Sequence, residues 1–333
     1  MKQINVLLTG GIGSRLWPLS RKSRPKQYIP LFDGKTLFQL AAERNNDICD
    51  ETLIVCNKDN YALSEQNMKD SGIGTYRKIV EATPRNTAAA VAFAALSADQ
   101  DDILLVTPAD HIIEDLDEYK RCVQRAVELA AEGHLVTFGI QPTKPETGYG
   151  YIHNNGEDVI SFKEKPSLKD AEKFLEDGNF LWNSGIFCFN AGVYLEELQN
   201  FRKDIYEASK TAYSKIAEDF IPLDESLQIP KESIDYAVME HSKRIKIVPS
   251  NFIWSDLGSF ESLYDFLQNQ HKEELFNNGN LILGAEKHIE IIGLENIIVV
   301  DTDDATLILQ KDKAQEVKGI YEKLENKKSH LIE

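Results

Sequence analysis

Ile4-Asn5-Val6-Leu7-Leu8-Thr9-Gly10-Gly11-Ile12-Gly13-Ser14-Arg15 is the stretch on which the fold turns. The run from Ile4 to Thr9 is apolar, has β-branched members and ends at paired glycines, the pattern of a buried strand entering a glycine loop. Outward from it, strand-like runs recur at residues 52–56, 77–81, 103–107 and 135–139. Helical stretches separate them, notably 36–45, 87–98 and 116–131. This alternation predicts an α/β fold with a doubly wound, mostly parallel, Rossmann-like sheet. Ligands of such sheets bind outside the carboxyl ends of the strands, so the loops there are where chemistry is expected.

Beyond Gly139 the pattern changes. Residues 149–154 and 159–163 read as a hairpin around Asn155-Gly156, followed by a strand over 181–190, helices to about Lys215 and another helix near 233–241. From Asn280, short β-branched segments at 281–283, 289–292, 297–300 and 306–309 precede a helix over 312–325. Their regular spacing predicts a small β-rich, left-handed-β-helix-like element. The expected division is a catalytic domain over 1–265 and this element, with its terminal helix, over 266–333; the tail 326–333 is expected to fray.

Composition narrows the partners. The chain has 333 residues, 42% hydrophobic and 27% charged, enough for about two compact units. No apolar run approaches the roughly 18 residues of a membrane span or suits a secretion signal. Cys49, Cys56, Cys122 and Cys188 lie far apart without a CxxC pair, which argues against a disulfide scaffold or zinc ribbon and for a reduced cytoplasm. The net charge of −17 argues against nucleic acid as a partner. Yet residues 1–32 hold six of the Lys and Arg residues and no Asp or Glu. Arg15, Arg21, Lys22, Arg24 and Lys26 form a basic island suited to a compact anion, or else a solvated charged loop.

The glycine loop is neither of two familiar phosphate motifs. The dinucleotide fingerprint needs glycine at position 16, which is Leu16, and Pro18 and Pro25 interrupt any following helix. A Walker A loop ending at Gly34-Lys35-Thr36 would need glycine where Ile29 stands. What remains is a loop whose amides can approach phosphate oxygens without a Cβ in the way, followed at once by Arg15. A tight turn with no ligand is the plainer alternative.

Leu8-Thr9-Gly10-Gly11-Ile12-Gly13-Ser14-Arg15-Leu16-Trp17-Pro18-Leu19-Ser20-Arg21, continuing to Pro25-Lys26-Gln27, resembles the signature of the sugar-1-phosphate nucleotidyltransferase family. Further matches follow in order: Arg85-Asn86-Thr87-Ala88, Pro108-Ala109-Asp110-His111, Gly148-Tyr149-Gly150-Tyr151-Ile152, Glu164-Lys165-Pro166, Trp182-Asn183-Ser184-Gly185 and Trp254-Ser255-Asp256-Leu257-Gly258. Val299 to Ala305 also fits, so the resemblance covers nearly the whole chain. Thr9, Ala82, Ala89 and Ala109 depart from the family pattern; none removes a charged group, and the changes near Glu81 weaken inferences about base recognition. The Leu-Trp-Pro-Leu-Ser-Arg variant is similar to the branch that makes GDP-mannose, so the resemblance implies GTP and mannose 1-phosphate as substrates, Mg2+ as cofactor and a homodimer. Members with an added phosphomannose isomerase half are much longer, so a single activity is expected.

The resemblance implies roles that the residue chemistry supports. Arg15 and Lys26 are the expected catalytic cations, Arg15 on the leaving phosphates and Lys26 near the α-phosphate; Arg can grip two oxygens, whereas Lys acts as a point charge. Leu8, Gly10, Gly11, Gly13, Ser14, Glu81, Asn86, Thr87, Pro108 and Asp110 are expected along the nucleotide. Asp110 and Asp256 each follow an apolar run and together suit Mg2+; a turn residue and a helix N-cap are their structural alternatives. His111 is expected to pack or support. Gly148, Glu164, Lys165 and Asn183 are expected on the sugar phosphate, Asn183 both donating and accepting. Arg21, Lys22 and Arg24 are expected to tune the field or touch the triphosphate loosely. Another sugar or base, or a non-catalytic nucleotide-sugar-binding regulator, stays open at this stage.

Overall fold

The computed structural model describes residues 1–284 and 286–333. Its contacts gather the chain into two compact units, one of Met1–Gly10, Gln39–Ala109 and Ile113–Trp254, the other of Gly11–Phe38, Asp110–Ile112 and Ser255–Glu333. The units interleave along the sequence, and the signature loop belongs with the C-terminal segment.

Among the described residues, the larger unit is built on ten strands: β1 (Gln3–Leu8), β2 (Glu51–Asn57), β3 (Arg77–Glu81), β4 (Ile103–Pro108), β5 (Leu135–Ile140), β6 (Tyr151–Asn155), β7 (Asp158–Lys163), β8 (Phe180–Asn190), β9 (Phe220–Ile221) and β10 (Ile245–Ser250). Their order is β9-β3-β2-β1-β4-β8-β5-β10-β7-β6. From β9 to β4 every pairing is parallel, as the βα alternation predicts. Beyond β4 the sheet is mixed: β5 and β10 are parallel, but β8 runs antiparallel to β4, β5 and β6. The chain returns there through the β6–β7 hairpin rather than a helical crossover, and hairpin strands run antiparallel.

Both faces of this sheet are covered. Alternate side chains of β4 point to opposite faces, so Leu104 and Val106 join one core while Ile103 and Leu105 join the other. The first core holds the alanine-rich helix Thr87–Leu96, whose small side chains let it lie deep, with Ala88 to Ala95 almost wholly buried. The second holds the apolar stripe of helix Leu116–Ala131, where Tyr119, Cys122, Val123, Ala126 and Leu129 recur at helical spacing.

The smaller unit carries a sheet of β11 (Phe276–Asn277), β12 (Asn280–Leu283), β13 (Ile297–Asp301) and β14 (Thr306–Gln310), ordered as numbered. Residues 289–292, expected as a strand, form none. Ile291 instead packs against Ile297 and Val299.

The tail is another correction. Ile332 is 1% exposed, the Trp17 indole N–H donates to the Leu331 carbonyl at 2.8 Å, and the Lys22 amide donates to the Ile332 carbonyl at 2.9 Å. Arg21 also donates to the Leu331 carbonyl and pairs with Asp304 at 2.6 Å, while Lys22 pairs with Glu333 at 3.2 Å. An apolar anchor and two cations therefore hold the segment that sequence pattern alone predicts to fray. Arg21 and Lys22 are engaged in holding it. Ile332→Ala is expected to lower stability by about 2–5 kcal/mol, as for other buried Ile-to-Ala changes. Denaturant unfolding checks this, and an unchanged midpoint would mean that the tail carries no packing energy.

Candidate active site

In the larger unit, parallel register brings Leu8, Pro108 and Glu81, expected along the nucleotide, to one end of the sheet. Leu8 closes β1 directly opposite Pro108 at the end of β4, and the Ala109 amide donates to the Leu8 carbonyl at 2.9 Å. Glu81 ends β3 opposite Asn57 of β2. Its carboxylate is buried and accepts the Arg85 amide at 3.3 Å. Burial pushes the carboxyl up to about 7, against the smaller opposing pull of that hydrogen bond and the Arg85 charge. The Arg85 guanidinium donates to the Ile229 carbonyl at 2.6 Å. Asn86, at φ +73°, caps helix Thr87–Leu96 by accepting the Thr87 amide at 2.8 Å. The Thr87 hydroxyl accepts the Ile234 amide at 2.9 Å, so its acceptor side ties the helix start to the segment before Asp235.

The smaller unit carries the glycine loop and the charged groups around Lys26. Gly11 and Gly13 have φ of +74° and +75°, which favour glycine. A Cβ on Gly13 would also lie 2.5 Å from Lys26 Cβ. The Lys26 amide donates to the Ile12 carbonyl at 3.1 Å, so loop and lysine are fixed together. Lys26 is 5% exposed; its ammonium lies 2.8 Å from Asp110 Oδ2 and donates to the Asp256 carbonyl. At Asp110, burial would raise the carboxyl, but the Lys26 charge, His111 and the Lys26 hydrogen bond outweigh it and hold the group below the usual carboxylate range. His111 Nε2 lies 3.7 Å from Asp110 Oδ1. Arg15 and the Ser14 turn that bears it lie at the surface side of the loop, and among the described residues Arg15 makes no ion pair.

Asp256 is not a helix cap: Ser259 caps helix Phe260–Asn269 by accepting the Ser262 amide at 3.3 Å. Asp256 Oδ1 instead accepts the Gly258 amide at 3.0 Å, across Leu257 at φ +44°. Among the described residues no group of three or more His, Cys, Asp or Glu is gathered as for a protein-built metal cage. Asp110, held anionic, has the chemistry of a carboxylate that suits Mg2+, which takes one or two carboxylates and fills its shell with phosphate oxygens and water.

A third cluster lies in the larger unit. The Glu164 side chain is 7% exposed, and exposed Lys165 donates to its Oε1. A Cβ on Gly150 would lie 2.5 Å from Glu164 Oε2, so Gly150 is the glycine this carboxylate requires. Gly148, which the sequence points to, is exposed and directs its amide to Glu146 at 2.9 Å. The Asn183 amide nitrogen of the backbone donates to the Gly150 carbonyl at 2.8 Å. The Asn183 side-chain carbonyl accepts Thr137 Oγ1 at 2.9 Å and the Gly185 amide at 3.3 Å, while its amide donates to Asp235 at 2.9 Å. Asn183 thus both accepts and donates within the protein, and its carbonyl oxygen already receives two hydrogen bonds. Sequence reasoning misses Asp235 because it falls inside a helical stretch; the signal visible in the structure is its place at the start of a π-helical turn, Asp235–Met239.

A glycine loop fixed to a buried lysine that is paired with a carboxylate is chemistry suited to phosphate groups. The chain matches the Nucleotidyl transferase family over residues 4–273 and the MannoseP isomerase/GMP-like beta-helix domain over 277–324, and it belongs to the nucleotidyl transferase family. A relative from Salmonella muenchen, named mannose-1-phosphate guanylyltransferase, is 38% identical over 99% of this chain and 75% of its own length. A Thermus thermophilus structure described as mannose-1-phosphate geranyltransferase is 30% identical, with TM-score 0.84 over 98% of this chain and 100% of its own. A Helicobacter pylori structure described as mannose-6-phosphate isomerase is 39% identical, with TM-score 0.70 over 77% of this chain and 100% of its own. No described helix is long and apolar enough to cross a membrane.

The raised Glu81 gives a stability test. Because folding favours its protonated form, that contribution is complete below pH 4.5 and lost as pH rises through about 7. Between pH 6 and 8 the parent is expected to lose about 1.4 kcal/mol that Glu81→Gln does not lose. Urea unfolding at the two pH values checks this, and equal slopes in both proteins would contradict it.

Proposed function

We propose that the chain transfers GMP from GTP to mannose 1-phosphate, giving GDP-mannose and diphosphate. The observation that carries this reading is Lys26, a buried cation fixed to the glycine loop and paired with Asp110. The names of the full-length relatives point to the same base and sugar. In the reaction a phosphate oxygen of the sugar ester forms a bond to the α-phosphorus of GTP, and the bond from that phosphorus to the β-phosphate oxygen breaks. The nucleophile has a second pKa of about 6, as phosphate monoesters do, so it is mostly ionised at neutral pH and needs no general base. The obstacle is the meeting of two polyanions, which positioned charges and amides overcome.

Lys26 supports the charge at the α-phosphate, and Arg15, exposed and without an ion pair among the described residues, is available to the leaving phosphates. The loop amides of Gly10 to Ser14 serve the triphosphate, and Glu81 to Thr87 flank base and ribose. Glu164 accepts from sugar hydroxyls, Lys165 meets the sugar phosphate and Asn183 donates. Asp110 and Asp256 would hold Mg2+, which when bound neutralises phosphate oxygens and orients them. All four cysteines are free, in keeping with a reducing cytoplasm.

Diphosphate release, measured with Mg2+ and crossing GTP, ATP, CTP and dTTP against mannose, glucose and fucose 1-phosphates, tests the reading. Turnover is expected with GTP and mannose 1-phosphate. Another preferred pair would overturn the substrate assignment, and silence from folded protein that binds GDP-mannose would favour the regulator. Isomerisation of mannose 6-phosphate in place of transfer would overturn the activity itself. Lys26→Ala is expected to lower kcat/KM more than about tenfold, or 1.4 kcal/mol of transition-state stabilisation; a smaller loss would remove Lys26 from the catalytic set.

A further inference from the structure

We propose that Asp235 is a positioning residue that makes Asn183 an obligate hydrogen-bond donor toward the sugar phosphate; this rests on the transfer reaction proposed above.

An asparagine side chain can present either its carbonyl or its amide group, and only its surroundings decide which. At Asn183 they decide fully. The side-chain carbonyl receives two hydrogen bonds, from the Thr137 hydroxyl and the Gly185 amide. The side-chain nitrogen gives one hydrogen to Asp235 Oδ1, which leaves one N–H unassigned among these contacts. A flipped amide would set its oxygen against the Asp235 carboxylate and its N–H groups against the Gly185 amide. Asp235 is the acceptor that makes the flip costly.

The backbone is shaped around this arrangement. The pairing of β8 with β5 shifts register between Asn183 and Phe187, and Gly185 takes φ +71°. Bulges of this kind re-aim a side chain from the regular pleat. Here the break directs the Gly185 amide to Asn183 rather than to a ladder partner. Asn183 is 9% exposed, whereas Asp235 is only partly enclosed. The Glu164 and Lys165 charges act on Asp235, and Glu164 Oε2 and Asn183 Cβ both border Gly150, so the fixed donor stands among the groups assigned to the sugar. Partial burial, with the Glu164 charge, raises the Asp235 carboxyl to about 6 despite the Asn183 hydrogen bond. A carboxylate kept in so unfavourable a setting, with Asn183 as its side-chain hydrogen-bond partner, fits a role in orienting that partner.

Steady-state kinetics on the full chain with GTP, mannose 1-phosphate and Mg2+ tests the proposal. Asp235→Ala is expected to raise KM for mannose 1-phosphate about tenfold or more, the scale of one lost hydrogen bond to a charged group, and to leave KM for GTP within about twofold. Asp235→Asn, which keeps an acceptor oxygen for the Asn183 amide, is expected to recover most of that loss. Thr137→Val removes the opposite restraint and is expected to shift the same KM in the same direction, which keeps the test decisive if Asp235→Ala does not fold. Equal changes in both KM values, or Asp235→Asn no better than Asp235→Ala, would overturn the positioning role. A parent enzyme inactive with this substrate pair would instead overturn the proposed function.

Discussion

The pairing of Lys26 with Asp110 is the constraint around which the signature segment is organised. A lysine ammonium that is almost wholly buried is expensive to hold unless opposite charge and hydrogen-bond acceptors surround it. The Asp110 carboxylate and the Asp256 carbonyl supply these. The lysine stem fills the place a side chain on Gly13 would occupy, so the third glycine of the loop is required by the lysine itself. Asp110, in turn, is kept anionic by the cation it holds. Three signature positions separated in sequence thus depend on one ion pair.

The acidic chain distributes its few N-terminal cations by task. Arg21 and Lys22 are consumed by the tail and by Asp304, Glu325 and Glu333, while Arg15 is left exposed. Asn86, Lys165 and Leu257 are among the non-glycine residues with positive φ. Such conformations persist where the surroundings over-determine them. The same holds for Asn183, whose orientation is settled by three hydrogen bonds.

Much of this is legible in the sequence because it rests on local pattern. The parallel half of the sheet follows from alternating apolar runs and helices, and the strand over Arg77–Glu81 and the helix over Leu116–Ala131 have the expected bounds. Lys26, Asp110 and Asp256 are marked by motif, and the structure brings them together. What the pattern does not reveal depends on partners distant in sequence. The antiparallel direction of β8, the docking of Ile332 and the use of Arg21 for the Leu331 carbonyl are set by segments far along the chain. Gly150 rather than Gly148 is distinguished only by where Glu164 sits, and Asp235 only by its bond to Asn183. Residues 289–292 have the composition of a strand, but Ile291 serves packing on Ile297 and Val299 instead.

A double-mutant cycle between Lys26→Ala and Asp110→Asn, read on kcat/KM for GTP and mannose 1-phosphate, tests the central claim most directly. If the two groups act as one unit, each single change removes most of the activity and the double variant is little worse than the poorer single one. Losses that multiply, with coupling within about 0.5 kcal/mol of zero, would contradict that claim.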